Sequence, residues 1–147
     1  NEGVATYVKR IKNTIGYVEY AYALQNKLVH VKLQNREKNF VEPSIESFSA
    51  AALGADWKGT SGFAVVLTDQ DGKGTWPISG ATFIIVSKSP ENCANAKAVL
   101  EFLDWSYENG GQMARSLDYV PMPKSVSDVM ERAWAADIRC SGAPVWK

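Results

Sequence analysis

Apolar residues recur every three to four positions through most of the chain, and short alternating or continuous apolar runs fill the gaps. Val4, Tyr7, Val8 and Ile11 form one stripe of a helix over 3–12, with Asn1 placed to cap it and 13–16 to end it. Residues 15–19 read as a short strand, 20–28 as a helical turn or two, and 29–33 as an alternating strand. A polar turn at 35–39 leads to an extended 40–43. Residues 43–46 open a helix with Ser44 a good N-cap, and its stretch 47–53 is rich in Ala.

The second half is patterned differently. A loop around Trp57 precedes a continuous apolar run at 63–67, and an exposed turn at 69–74 follows it. Residues 81–86, Ala-Thr-Phe-Ile-Ile-Val, are the strongest predicted strand, and the run suits a strand covered on both faces. A long helix spans 93–109, with Pro90 near its first turn, and stops at Asn109-Gly110-Gly111. A short helix over 112–117 ends in Tyr-Val-Pro-Met-Pro. A last helix over 125–138 buries Val126, Val129, Met130, Ala133 and Trp134, and the tail after it is a small extended segment. Strands alternating with helices make the chain α/β. The boundary lies near Trp76-Pro77, where a loop-rich half gives way to a helix-rich one.

Composition narrows the function. With 147 residues the chain is one domain in size, and with 46% hydrophobic residues it has material for a core. Sixteen basic and 16 acidic residues cancel, which argues against non-specific nucleic-acid binding. No run of 18 apolar residues spans a bilayer. The start, Asn1-Glu2-Gly3, is neither an initiator Met nor a signal peptide, as in a mature product or a piece of a longer chain. Cys93 and Cys140 fit either a disulfide in an exported protein or two thiols. Cys93 begins one helix and Cys140 follows another, and the two ends are expected to meet only if those helices run parallel.

Candidate chemistry is sparse. His30 is the only histidine, lies in a predicted strand, and has no nucleophile motif to serve. No metal-ligand spacing occurs, so no metal or cofactor is expected. Gly72-Lys73-Gly74-Thr75 lacks the rest of a phosphate loop and leads into Trp-Pro instead of a helix, so a turn is expected. Glu19, in Gly-Tyr-Val-Glu-Tyr-Ala-Tyr, is expected to accept a tyrosine hydroxyl or a backbone N–H. Arg115, Arg132 and Arg139 are the arginines best placed for an anion, but none adjoins an anion nest. The aromatics fall mostly at core-facing positions.

Several phrases together resemble one family. They are Asn1-Glu2-Gly3-Val4 with Tyr7-Val8, Ile15 to Leu28, Ala55-Asp56-Trp57, Leu67-Thr68, Trp76 to Ile84, Val99 to Gly110, Leu117 to Pro123, and Ala133-Trp134. In this order they are similar to the C-terminal half of the periplasmic phosphate-binding proteins of bacterial phosphate ABC transporters. The resemblance implies part of a two-lobed periplasmic-binding-protein (type II) fold that closes on phosphate by hinge bending. Residues 1–75 would be the remainder of the second lobe, and 76–80 the hinge crossover with Trp76, Pro77 and Ile78. Residues 81–147 would complete the first lobe.

The family's phosphate ligands come from earlier segments, including an Arg-x-x-Gly-Ser-Gly-Thr phrase that is absent here. No ligand-binding or catalytic residue is therefore expected in this chain, and no enzymatic activity. The implied partners are inorganic phosphate, the missing N-terminal half or a second copy, and an ABC transporter permease, in the periplasm. The strand at 81–86 is expected to lack its sheet neighbours without that half. The alternative is a structural or interaction module that keeps the framework without binding ligand.

Overall fold

The computed structural model describes residues 1–147. Helix α1, Glu2–Arg10, packs Ala5 inward. Asn1 does not cap it: its Oδ1 accepts the Glu19 N–H at 3.0 Å instead, which ties the start of α1 to the segment before the next helix. Gly16 passes so close to α1 that a Cβ there would lie 2.7 Å from Val4 Cγ1. Helix α2, Tyr20–Gln25, buries Ala21 and Ala23. Strands β1, Leu33–Gln34, and β2, Phe40–Val41, pair antiparallel, with Leu33 opposite Val41.

Helix α3, Ile45–Gly54, begins as its sequence dictates. The Ser47 N–H donates to Ser44 Oγ at 3.2 Å and the Ser44 N–H donates to Ser47 Oγ at 2.9 Å, a reciprocal capping box. Its alanine face receives Trp57, whose indole N–H donates to the Ala52 carbonyl at 2.6 Å. Ala52, Trp57 and Leu67 form a first core with Val126, and Met122 and Met130 pack against it.

The chain then runs through Trp76 and Ser79, both buried. Helices α4, Cys93–Asn109, α5, Gly111–Ser116, and α6, Lys124–Asp137, follow. Asn92 caps α4 by accepting the Asn95 N–H at 3.0 Å. Gly110 is required at the α4–α5 corner, because a Cβ would sit 2.5 Å from the Ser106 carbonyl oxygen. Leu100, Trp134 and Ile138 make a second core. Strands β3, Arg139–Cys140, and β4, Ala143–Pro144, form a hairpin whose turn residues Ser141 and Gly142 both have positive φ.

Cys93 and Cys140 are joined by a disulfide with Cα atoms 5.5 Å apart. The expectation that this needs parallel helices is wrong. α4 and α6 run antiparallel, since Lys124 at the start of α6 bonds Glu108 at the end of α4 at 2.8 Å. Antiparallel packing is what brings the start of one helix to the end of the other.

The predicted strands fare less well. Residues 15–19, 63–67 and 81–86 form no sheet, and of 29–33 only Leu33 enters one. Ser61–Phe63 is a 3-10 turn, and Thr68 makes only an isolated bridge to Ile78. A strand exists through its neighbours, and no segment of this chain pairs with these runs in a sheet. Many of their apolar side chains are left in water: Val29 is 97% exposed, Ile85 95%, Tyr17 89% and Ile15 87%, while Leu67 is buried. Only 19 of 147 residues are buried, so the apolar content of the chain exceeds what its own core absorbs.

Candidate functional site

The candidate site is the segment 76–80, expected from the sequence to be the crossover, with the contacts around it. Trp76 is held from both sides. Its N–H donates to the Ser47 carbonyl at 3.1 Å, and its ring meets Phe48 edge-on at 6.2 Å, which in turn meets Tyr20 at 5.4 Å. The Ser79 hydroxyl donates to the Trp76 carbonyl at 3.1 Å, and the Pro77 carbonyl accepts the Asp69 N–H at 2.8 Å. Ile78 is exposed. Trp76 and Ser79 are thus anchored while Ile78 faces water.

The glycine turn is not an anion cradle. The Asn35 carboxamide, 4% exposed, donates to the carbonyls of Gly72 and Lys73, both at 3.0 Å. Thr75 Oγ1 donates to the Gly72 carbonyl at 2.8 Å. The turn presents carbonyls inward, the wrong polarity for phosphate. Asn35 escaped the sequence reading, because an Asn in a polar turn carries no sign of such distant partners. Arg36 lies between Asp69 Oδ2 at 3.2 Å and Asp71 Oδ1 at 3.1 Å, which hold its guanidinium above its ordinary range.

His30 is exposed and meets the Tyr20 ring edge-on at 5.8 Å. Arg139 donates to the Ala136 carbonyl at 3.3 Å. Arg132 lines an open groove of about 400 Å³ together with Asp128, Glu131 and Lys147, a mixture of signs without focus on an anion. Arg115 forms no salt bridge: the Glu46 carboxyl is held below its ordinary range first by that residue's own backbone N–H, then by the Ser44 side chain, and most weakly by the Arg115 charge. No three His, Cys, Asp or Glu side chains gather as a metal site. Glu19 does accept a tyrosine hydroxyl: Tyr119 Oη donates to Glu19 Oε2 at 3.2 Å.

One carboxylate is poorly placed. Glu131 Oε1 on α6 is buried without a hydrogen-bond partner. Burial, then Asp104, Asp128 and Glu108 nearby, pushes its carboxyl above the ordinary 4.5, while Lys124 opposes them. The folded chain therefore binds this proton more tightly than the unfolded chain. The folded state is favoured as pH falls toward 4.5, and the charged form costs stability above that window. Glu131→Gln should raise the melting midpoint at neutral pH and flatten its dependence between about pH 4 and 7. The gain is at most about 1 kcal/mol, because water still reaches the side chain. Melts of both chains across that range check it.

Residues 2–113 match the family described as bacterial extracellular solute-binding protein. The chain belongs to that family. It is 45% identical over 148 residues to the phosphate-binding protein PstS of Pasteurella multocida, covering 100% of this chain and 43% of that protein. It is 47% identical to the PstS of Xylella fastidiosa, covering 95% of this chain and 38% of the relative. The PstS of Haemophilus influenzae is 46% identical, with 95% and 42% covered. The chain therefore spans about two fifths of the length of the curated relatives it matches. No helix of this solute-binding family member is long and apolar enough to cross a membrane.

Proposed function

We propose that the chain is the C-terminal part of a phosphate-binding protein of the bacterial envelope. It would deliver its ligand to an ABC transporter by hinge closure of two lobes, without catalysis. The observation that carries this is similarity along the whole chain, at 45–47% identity, to proteins named for phosphate binding. In this reading residues 1–75 belong to the second lobe, 76–80 are the hinge crossover, and 81–147 return to the first lobe. The buried Trp76 and Ser79, with unpaired apolar segments on both sides of them, support that division. The relatives carry more than half their length outside the stretch matched here. That extra length is the natural cover for Ile15, Val29 and Ile85, and the natural source of the phosphate ligands.

Calorimetric titration with inorganic phosphate tests the proposal. The chain alone should give no binding heat. The same chain fused behind the N-terminal portion of the Pasteurella multocida relative should bind. Binding by the chain alone would place ligands within it, and a silent fusion that folds would overturn the proposal.

A further inference from the structure

Two contacts of opposite character cross the seam between 1–75 and 81–147. The first is apolar and closed. Val126, at the start of α6, is buried against Ala52, Trp57 and Leu67, and Met122 and Met130 fill in around it. The second is polar and open. Tyr119 reaches Glu19 Oε2 at 3.2 Å, and that bond is exposed. The phenol sits above its ordinary range, chiefly because of that hydrogen bond.

The local backbone aims Tyr119 at this contact. Asp118 adopts the left-handed conformation, with φ 63°, which L-residues avoid. The Tyr119 N–H donates to the Ala114 carbonyl at 2.9 Å and the Asp118 N–H to the Arg115 carbonyl at 3.0 Å, closing the end of α5. On the other side, the Asn1 side chain fixes the Glu19 backbone at 3.0 Å, and Tyr22 Oη donates to Glu2 Oε1 at 3.4 Å. Both partners of the bond are thus held in place from behind, while the bond itself stands in water.

We infer that this seam is a pivot with a latch. Val126 on Trp57 stays packed, and the Tyr119–Glu19 bond opens and closes as the two units turn about it. Separating Val126 from Trp57 exposes apolar surface, whereas water replaces the Tyr119 hydroxyl at little cost. The inference rests on the two-unit division proposed above, and its substance is which contact moves.

Spin labels at Glu37→Cys, in the β1–β2 turn, and at Ala98→Cys, on the outer face of α4, read the separation of the units; the native disulfide leaves both sites free to label. Tyr119→Phe, Glu19→Gln and the double variant should each widen the distance distribution roughly twofold and by the same amount, because all three remove one interaction. Their melting midpoints should stay within about 2 °C of the parent. Unchanged widths in Tyr119→Phe and Glu19→Gln overturn the latch. A distribution already broad in the parent overturns the pivot. Widening by Tyr119→Phe alone overturns Glu19 as the catch. The two-unit division is judged separately by the phosphate titration of the fused polypeptide, so the two failures are distinguishable.

Discussion

Changing Cys93 and Cys140 together to serine should cost about 4 kcal/mol and lower the melting midpoint by roughly 10–15 °C. The bridge spans a sequence separation of 47, and in the chain-entropy account a loop of that size restricts the unfolded chain strongly. Little in the folded chain offsets its loss. The bridge fastens the start of α4 to the β3–β4 hairpin, whose other ties include the Arg139 N–H to the Lys88 carbonyl at 2.8 Å and the packing of Val145 and Trp146 on Trp134. Calorimetry of the parent with and without reductant, beside the double serine chain, checks the size. The two treatments should agree, and a loss below about 1 kcal/mol would mean that the unfolded chain is already compact.

Leu100→Ala should cost about 3 kcal/mol. Leu100 is 2% exposed and packs with Trp134 and Ile138 in the second core. The aromatic surroundings are rigid: Trp134 stacks on Tyr107 at 6.0 Å and meets Trp146 edge-on at 5.7 Å. Large rings collapse poorly into a gap, so the cavity persists and the cost approaches the middle of the range for such deletions. Phe102→Ala, on the same helix but 64% exposed, should cost far less. Urea titration of the two variants gives the comparison directly.

The helices were legible because their signals are local. The 93–109 helix is recovered at both ends, since Asn92 caps it and Gly110 meets a carbonyl that excludes any side chain. Ser44 announces α3 for the same reason. The strands were not legible in that sense. The run at 81–86 has strand propensity without a strand, because pairing is a property of neighbours and no segment of this chain pairs with it. At the seam, the sequence supplied Glu19 as an acceptor for a tyrosine but not which tyrosine. Tyr119 stands 100 residues away, and nothing local joins the two. The disulfide was left open for the same reason, because it depends on how two distant helix ends pack.

The carboxamide nitrogen of Asn35 donates only to carbonyl oxygens, at Gly72, Lys73 and Thr75, and its oxygen accepts the Asn39 N–H at 3.0 Å. A grip on the main chain is blind to the side chains it passes. Lys73 is therefore free to drift to almost any residue over generations, while Gly72, with φ 125°, and Thr75, with its own hydroxyl bonds, are not. Asn35, some forty residues earlier in the chain, is held as firmly, because another side chain there would release this turn.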